Sequence, residues 1–121
     1  VLEDLEPRVD GELVDSKVEG RVVVEEGARI VNSQVRGPVV IGAGSTVTDS
    51  YVGPYTAIDA GCEIANSEVE HSILLAGASI SDLPSRMEAS LLGRNVRIAR
   101  ADGLPKTLRM LVGDRSELTL P

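Results

Sequence analysis

The chain has no phenylalanine and no tryptophan, and two tyrosines are its only aromatic residues among 121. A roomy globular core is normally filled with rings, so an interior built from Val, Ile, Leu and Ala has to be narrow. Cysteine occurs once, at Cys62, which excludes an internal disulfide and fits a reducing compartment; a cytoplasmic location is expected. No apolar run approaches the roughly 18 residues of a membrane-spanning helix, so no membrane partner is expected. Cations are scarce as well. Twelve Lys and Arg stand against 19 Asp and Glu, and a net charge of −7 argues against nucleic acid as a partner. The deficit is uneven: residues 1–83 hold 5 basic and 15 acidic side chains, residues 84–121 hold 7 and 4. Such asymmetry marks either a docking surface or a differently solvated cap. An initiator methionine and a signal-peptide pattern are also missing at Val1, so the chain is expected to be a piece of a longer polypeptide.

What the sequence has is repetition. Asp15-Ser16-Lys17-Val18, Asn32-Ser33-Gln34-Val35, Asp49-Ser50-Tyr51-Val52 and Asn66-Ser67-Glu68-Val69 follow one another at a step of 17 residues. Gly27, Gly44 and Gly61 keep the same step, and Gly77 comes one residue early. Self-similarity at a short fixed period means stacked coils of chain. Aliphatic residues open short segments at Leu13, Val18, Val24, Ile30, Val35, Ile41, Val47, Val52, Ile58, Ile64, Val69, Leu74 and Ile80, spaced 5, 6, 6 with a 5, 5, 6 variation after Ile64. Three straight segments per turn make a triangular prism whose openers point inward. Ile30, Ile41, Val47, Ile58, Ile64 and Ile80 are therefore the expected core. The fourth residue after each six-residue opener (Val22, Ala28, Val39, Ser45, Thr56, Cys62, Ala78) is always small or β-branched, which suits a second inward position with little room. Cys62 reads as a filler of that column.

The corners carry the matching chemistry. Gly27, Gly44, Gly61 and Gly77 stand where a sharp turn needs positive φ, and Asn32 and Asn66 tolerate the same region. Parallel in-register pairing would stack Ser16, Ser33, Ser50 and Ser67 into a ladder of corner hydrogen bonds. Residues 1–6 read as the remnant of an interdomain connection, a helix tail stopped by Pro7. Residues 7–104 form the coiled body of about five to six turns, with the beat breaking over Ser81–Ser90. Residues 105–121 read as a strand hairpin around Gly113-Asp114 that caps the stack.

Ile41-Gly42-Ala43-Gly44-Ser45-Thr46 and Ile58-Asp59-Ala60-Gly61-Cys62-Glu63 resemble the hexapeptide repeat of left-handed parallel β-helices; the left hand is what the resemblance implies, since general crossover sterics favour the right. Glu6-Pro7-Arg8-Val9-Asp10-Gly11, Gly37-Pro38-Val39-Val40-Ile41-Gly42, Asp49 to Thr56 and Val112-Gly113-Asp114-Arg115-Ser116-Glu117 look like the C-terminal domain of long-form glucose-1-phosphate thymidylyltransferases. The resemblance implies an all-β assembly or regulatory domain. Its chemistry, with Mg²⁺, would belong to an N-terminal nucleotidyltransferase domain, the first expected partner. A homo-oligomer, with a trimer favoured, is the second. No phosphate-cradling Gly-x-Gly-x-x-Gly or P-loop lysine motif occurs here, and no catalytic residue, cofactor site or metal site carries over.

Two readings from other classes stand beside this one. Many similar β-helices are CoA-dependent acyltransferases with a histidine base, and the only histidine is His71, beside Glu70. Against an acyltransferase, Asp82 stands where similar acetyltransferases carry a histidine, and a carboxylate is a poor base for an amine at neutral pH. The other reading is a non-catalytic trimerisation module. Arg94, Arg97 and Arg100, with Arg86, Lys106 and Arg109, form a basic group suited to docking an acidic surface or holding an anion.

Overall fold

The computed structural model describes residues 7–83, 85–100 and 108–111, of which Arg100 and 108–111 are described by their backbone. Among these residues there is no helix, and every element is a strand of two to four residues. The first coil holds β1 (Arg8–Val9), β2 (Glu12–Val14) and β3 (Lys17–Glu19); the second holds β4 (Val22–Val24), β5 (Arg29–Val31) and β6 (Gln34–Arg36). The third holds β7 (Val39–Ile41), β8 (Thr46–Thr48) and β9 (Tyr51–Val52); the fourth holds β10 (Thr56–Ile58), β11 (Glu63–Ala65) and β12 (Glu68–Glu70). The fifth has β13 (Ile73–Leu74), β14 (Ser79–Ser81) and β15 (Met87–Glu88), and β16 (Leu91–Leu92) and β17 (Arg97–Arg100) follow before β18 (Leu108–Leu111). From β1 to β17, each strand pairs in parallel with its counterpart one coil away. The first face runs β1-β4-β7-β10-β13-β16, the second β2-β5-β8-β11-β14-β17 and the third β3-β6-β9-β12-β15. The fold is a β-solenoid of about five turns.

In-register stacking puts like on like. Ile30, Val47, Ile64, Ile80 and Ile98 form one inward column; Val24, Ile41, Ile58, Leu74 and Leu92 form another. All ten are 0–2% exposed. At about 1.5–3 kcal/mol for each buried aliphatic side chain, stability is spread evenly along the stack. The small column shares this interior, with Val22, Ala28, Val39, Ser45, Thr56, Cys62 and Ala78 at 0–1% exposed.

Two expectations need correction. Leu13 is 39% exposed and Val18 only partly buried, although both open segments. They belong to the first coil, whose strands pair on one side only. The beat does not break after Ser81: Met87 takes the opener position, paired with Val69 and 6% exposed. The fourth-to-fifth step is one residue short at the corner of His71 (Ile58 to Leu74), and the fifth is one residue long (Val69 to Met87), absorbed in the turn leading to Arg86. Corners can take up an added or deleted residue because strand register is fixed by the inward columns. Finally, Leu108–Leu111 pairs antiparallel with β17, Arg97 facing Leu111 and Arg100 facing Leu108. The hairpin expected around Gly113-Asp114 and the helix tail expected before Pro7 lie outside the described residues.

All three corners use left-handed backbone. Gly27, Gly44, Gly61 and Gly77 have φ between 69° and 81°. Asp15, Asn32, Asp49, Asn66 and Asp82 have φ of 47–54°, where Asx side chains are best tolerated. The alternation of Asp and Asn has a second use. Asn32 donates to Asp49 at 2.7 Å and Asn66 to Asp82 at 3.0 Å, so in this column no two aspartates stack on successive coils. Beside this column the serines form the ladder: each Oγ donates to the carbonyl two residues back and accepts the N–H of the next coil, at 3.1 Å for Ser33 N–H, 3.0 Å for Ser50 and 3.2 Å for Ser67. Every hydroxyl is spent on architecture.

One interior hydroxyl is not. Thr56 Oγ1 is fully buried without a hydrogen-bond partner, between the positions of Val39 and Ser72. An unsatisfied buried hydroxyl costs about 1–3 kcal/mol, and valine has the same shape. Thr56→Val should therefore raise the melting temperature. An unchanged or lower value in a thermal melt followed by circular dichroism would count against the dry environment described here.

Candidate functional site

His71 sits at the corner before β13 with φ of 50°, exposed, its ring 5.5 Å from that of Tyr55 one coil earlier. Glu70 does not orient it. Strand alternation turns Glu70 onto the third face, where its carboxylate pairs with Arg86 at 3.3 Å. The expected imidazole–carboxylate pair is thus not assembled, and the ring rests on an aromatic neighbour in solvent. Asp82 likewise is a corner residue, held by Asn66.

Arg86 is the most heavily engaged cation among the described residues. It pairs with Glu68 at 2.7 Å and with Glu70, and lies 4.9 Å from the centre of the Tyr51 ring. These contacts fix it to the third face and separate it from the basic group proposed from sequence. Beside it a polar hollow of about 320 Å³ opens between Asp49, Tyr51, Asn66, Glu68 and Ser85. Several of its polar groups already have partners: Asp49 accepts from Asn32, Asn66 donates to Asp82, Glu68 accepts from Arg86 and the neighbouring serines form the ladder.

Arg94 and Arg97 are exposed in the last coil, Arg94 at the corner between the first and second faces and Arg97 on the second. Neither has an ion-pair partner among the described residues. Arg100 ends β17, and Arg109 is known by its backbone in β18; Lys106 lies outside the described residues. Cys62 is 1% exposed, and burial pushes its thiol pKa above the ordinary value, which keeps it protonated and inert as a nucleophile. Among the described residues, no three or more His, Cys, Asp or Glu side chains converge as a metal site. No helix among them is long and apolar enough to cross a membrane.

The reading from sequence missed the outward side of the first face. Between the inward positions stand Val23, Val40, Ala57, Ile73 and Leu91, one per coil and stacked in register. The period-2 rule applied around each opener would have found this column, but the 17-residue repeat drew attention to the inward residues.

Fold and surface together define a class: a β-solenoid domain whose chemistry-bearing side chains are committed to stacking and whose free features are surfaces. The comparisons then point to one family of enzymes. The chain is 54% identical over 118 residues to a glucose-1-phosphate thymidylyltransferase of Streptomyces griseus, covering 96% of the chain and 33% of that relative. It is 46% identical over 121 residues to a glucose-1-phosphate thymidylyltransferase of Streptomyces antibioticus, covering 99% of the chain and 34% of that relative. The chain thus spans about a third of the length of the curated relatives it matches, and the resemblance drawn from its motifs is borne out. No family model matches it.

Proposed function

We propose that this chain is the C-terminal assembly domain of a glucose-1-phosphate thymidylyltransferase, inactive by itself. The parent enzyme transfers a thymidylyl group from dTTP to glucose 1-phosphate and releases pyrophosphate, with nucleotide, sugar phosphate and Mg²⁺ held by an N-terminal nucleotidyltransferase domain. The observation that carries this reading is the match to two thymidylyltransferases over nearly the whole chain but only a third of theirs. Arg94 and Arg97, without an ion-pair partner among the described residues, supply the contact to an acidic surface of the catalytic domain.

The test is pyrophosphate release from dTTP and glucose 1-phosphate in the presence of Mg²⁺. Turnover by the longer polypeptide that contains this chain, and none by the 121 residues alone, is expected. Acetyl transfer from acetyl-CoA to an amino sugar by the 121 residues would replace this reading with the acyltransferase one.

A further inference from the structure

The three faces of the prism are unlike. Outward positions on the third face carry Lys17, Glu19, Arg36, Glu68, Glu70 and Arg86, joined by ion pairs such as Arg36–Glu19 at 3.5 Å. The second face mixes charged residues with Thr46, Thr48 and Ser79. The first face alone carries an unbroken apolar column, Val23-Val40-Ala57-Ile73-Leu91; Val23 at its start is only 8% exposed, and Ile73, the fourth of the five, is 48% exposed.

The margins of that column complement each other. On the entry side stand Arg21 and Tyr55, a residue 44% exposed whose ring also lies against that of His71. On the exit side stand Glu25 and Asp59, which border a groove of about 280 Å³ floored by Gly42, Ala57 and Ile73. Arg21 and Glu25 flank the same strand, β4, and neither has an ion-pair partner among the described residues. One margin thus carries a cation and a protruding ring, and the other carries acids and a hollow, at matching heights.

We infer that the first face is where two copies of this chain associate about a twofold axis parallel to the solenoid; this rests on the assembly role proposed above. A twofold in that direction keeps each coil at its own height and exchanges the margins, so every contact occurs twice. The apolar columns pack on each other. Tyr55 of each copy enters the groove of the other, with its hydroxyl near Asp59, and Arg21 of each faces Glu25 of the other. A second copy is the occupant because the face complements itself in both shape and charge. The face is about five strands tall, roughly 24 Å, and about five residues wide, roughly 17 Å. It offers roughly 400 Å² a side, or about 800 Å² in total, below the roughly 1,000 Å² that a stable specific interface needs, so association is weak, reversible and concentration-dependent.

Sedimentation velocity on the 121-residue chain from about 1 to about 100 µM tests this. The expected mass rises toward two copies. Ile73→Glu, an exposed substitution whose folding is checked by circular dichroism, leaves one copy throughout. Arg21→Glu weakens association at least tenfold, and adding Glu25→Arg restores it. Association that survives Ile73→Glu, a charge-reversed pair that is not restored, or a three-copy mass overturns the twofold first-face arrangement while leaving an assembly role intact. A wild-type chain that stays single at every concentration overturns both.

Discussion

Ile58→Asp should leave no cooperative unfolding transition at 25 °C. Ile58 is 2% exposed, stacked between Ile41 and Leu74 on the inward side of the first face. The substitution removes about 1.5–3 kcal/mol of apolar burial and adds the several kcal/mol needed to place an unpaired carboxylate, or its protonated form, among aliphatic groups. The sum is comparable to the whole stability of a small domain, roughly 5–15 kcal/mol. Because each coil is the template for the next, damage at the fourth coil splits the stack in its middle rather than fraying one end. Ile73→Glu is the control: one coil further and 48% exposed, it should shift the melting temperature little. A normal melt for Ile58→Asp would mean that the inward column is wrongly assigned.

The second large effect separates two glycines of one hexapeptide, Gly42 and Gly44. A Cβ added at Gly42 would lie 2.5 Å from the carbonyl carbon of Asp59 and 2.6 Å from the nitrogen of Ala60, both backbone atoms of the next coil. Those atoms can yield only if the coils part, because Gly42 N–H donates to Ile58 O at 2.7 Å. Gly42→Ala should cost about 3 kcal/mol or more, in the range of overpacking and strain effects. At Gly44 an added Cβ meets nothing within 4 Å, and the only penalty is the backbone at φ of 72°. Gly44→Ala should cost about 1–2 kcal/mol. Urea melts of the two variants would rank them, and the reverse order would overturn the in-register stacking of β7 on β10.

These two positions show how unevenly the molecule is written into its sequence. The repeat of Asp/Asn-Ser-x-Val specifies the corner between the second and third faces completely: positive φ at Asn32 and Asn66, a hydroxyl ladder beside them, and an aliphatic residue two places on that must point inward. Local steric rules and a fixed period suffice for that, since each coil repeats the same solution. The candidate site was less legible. Glu70 is next to His71 in sequence, yet alternation along β12 sends it to Arg86, 16 residues away, and only the third dimension brings those two together. Arg86 left the basic group for the same reason.

The sequence by itself determined the solenoid, its inward columns and its tight corners, because the 17-residue period, side-chain volume and backbone φ preferences are local properties repeated many times. Only the tertiary structure decided how the turn before Arg86 absorbs an extra residue, that coil one leaves Leu13 half bare, and that one face of the three is apolar with complementary margins. Those outcomes depend on which residues stand at equal height on successive coils, and the pairing register between coils sets that height.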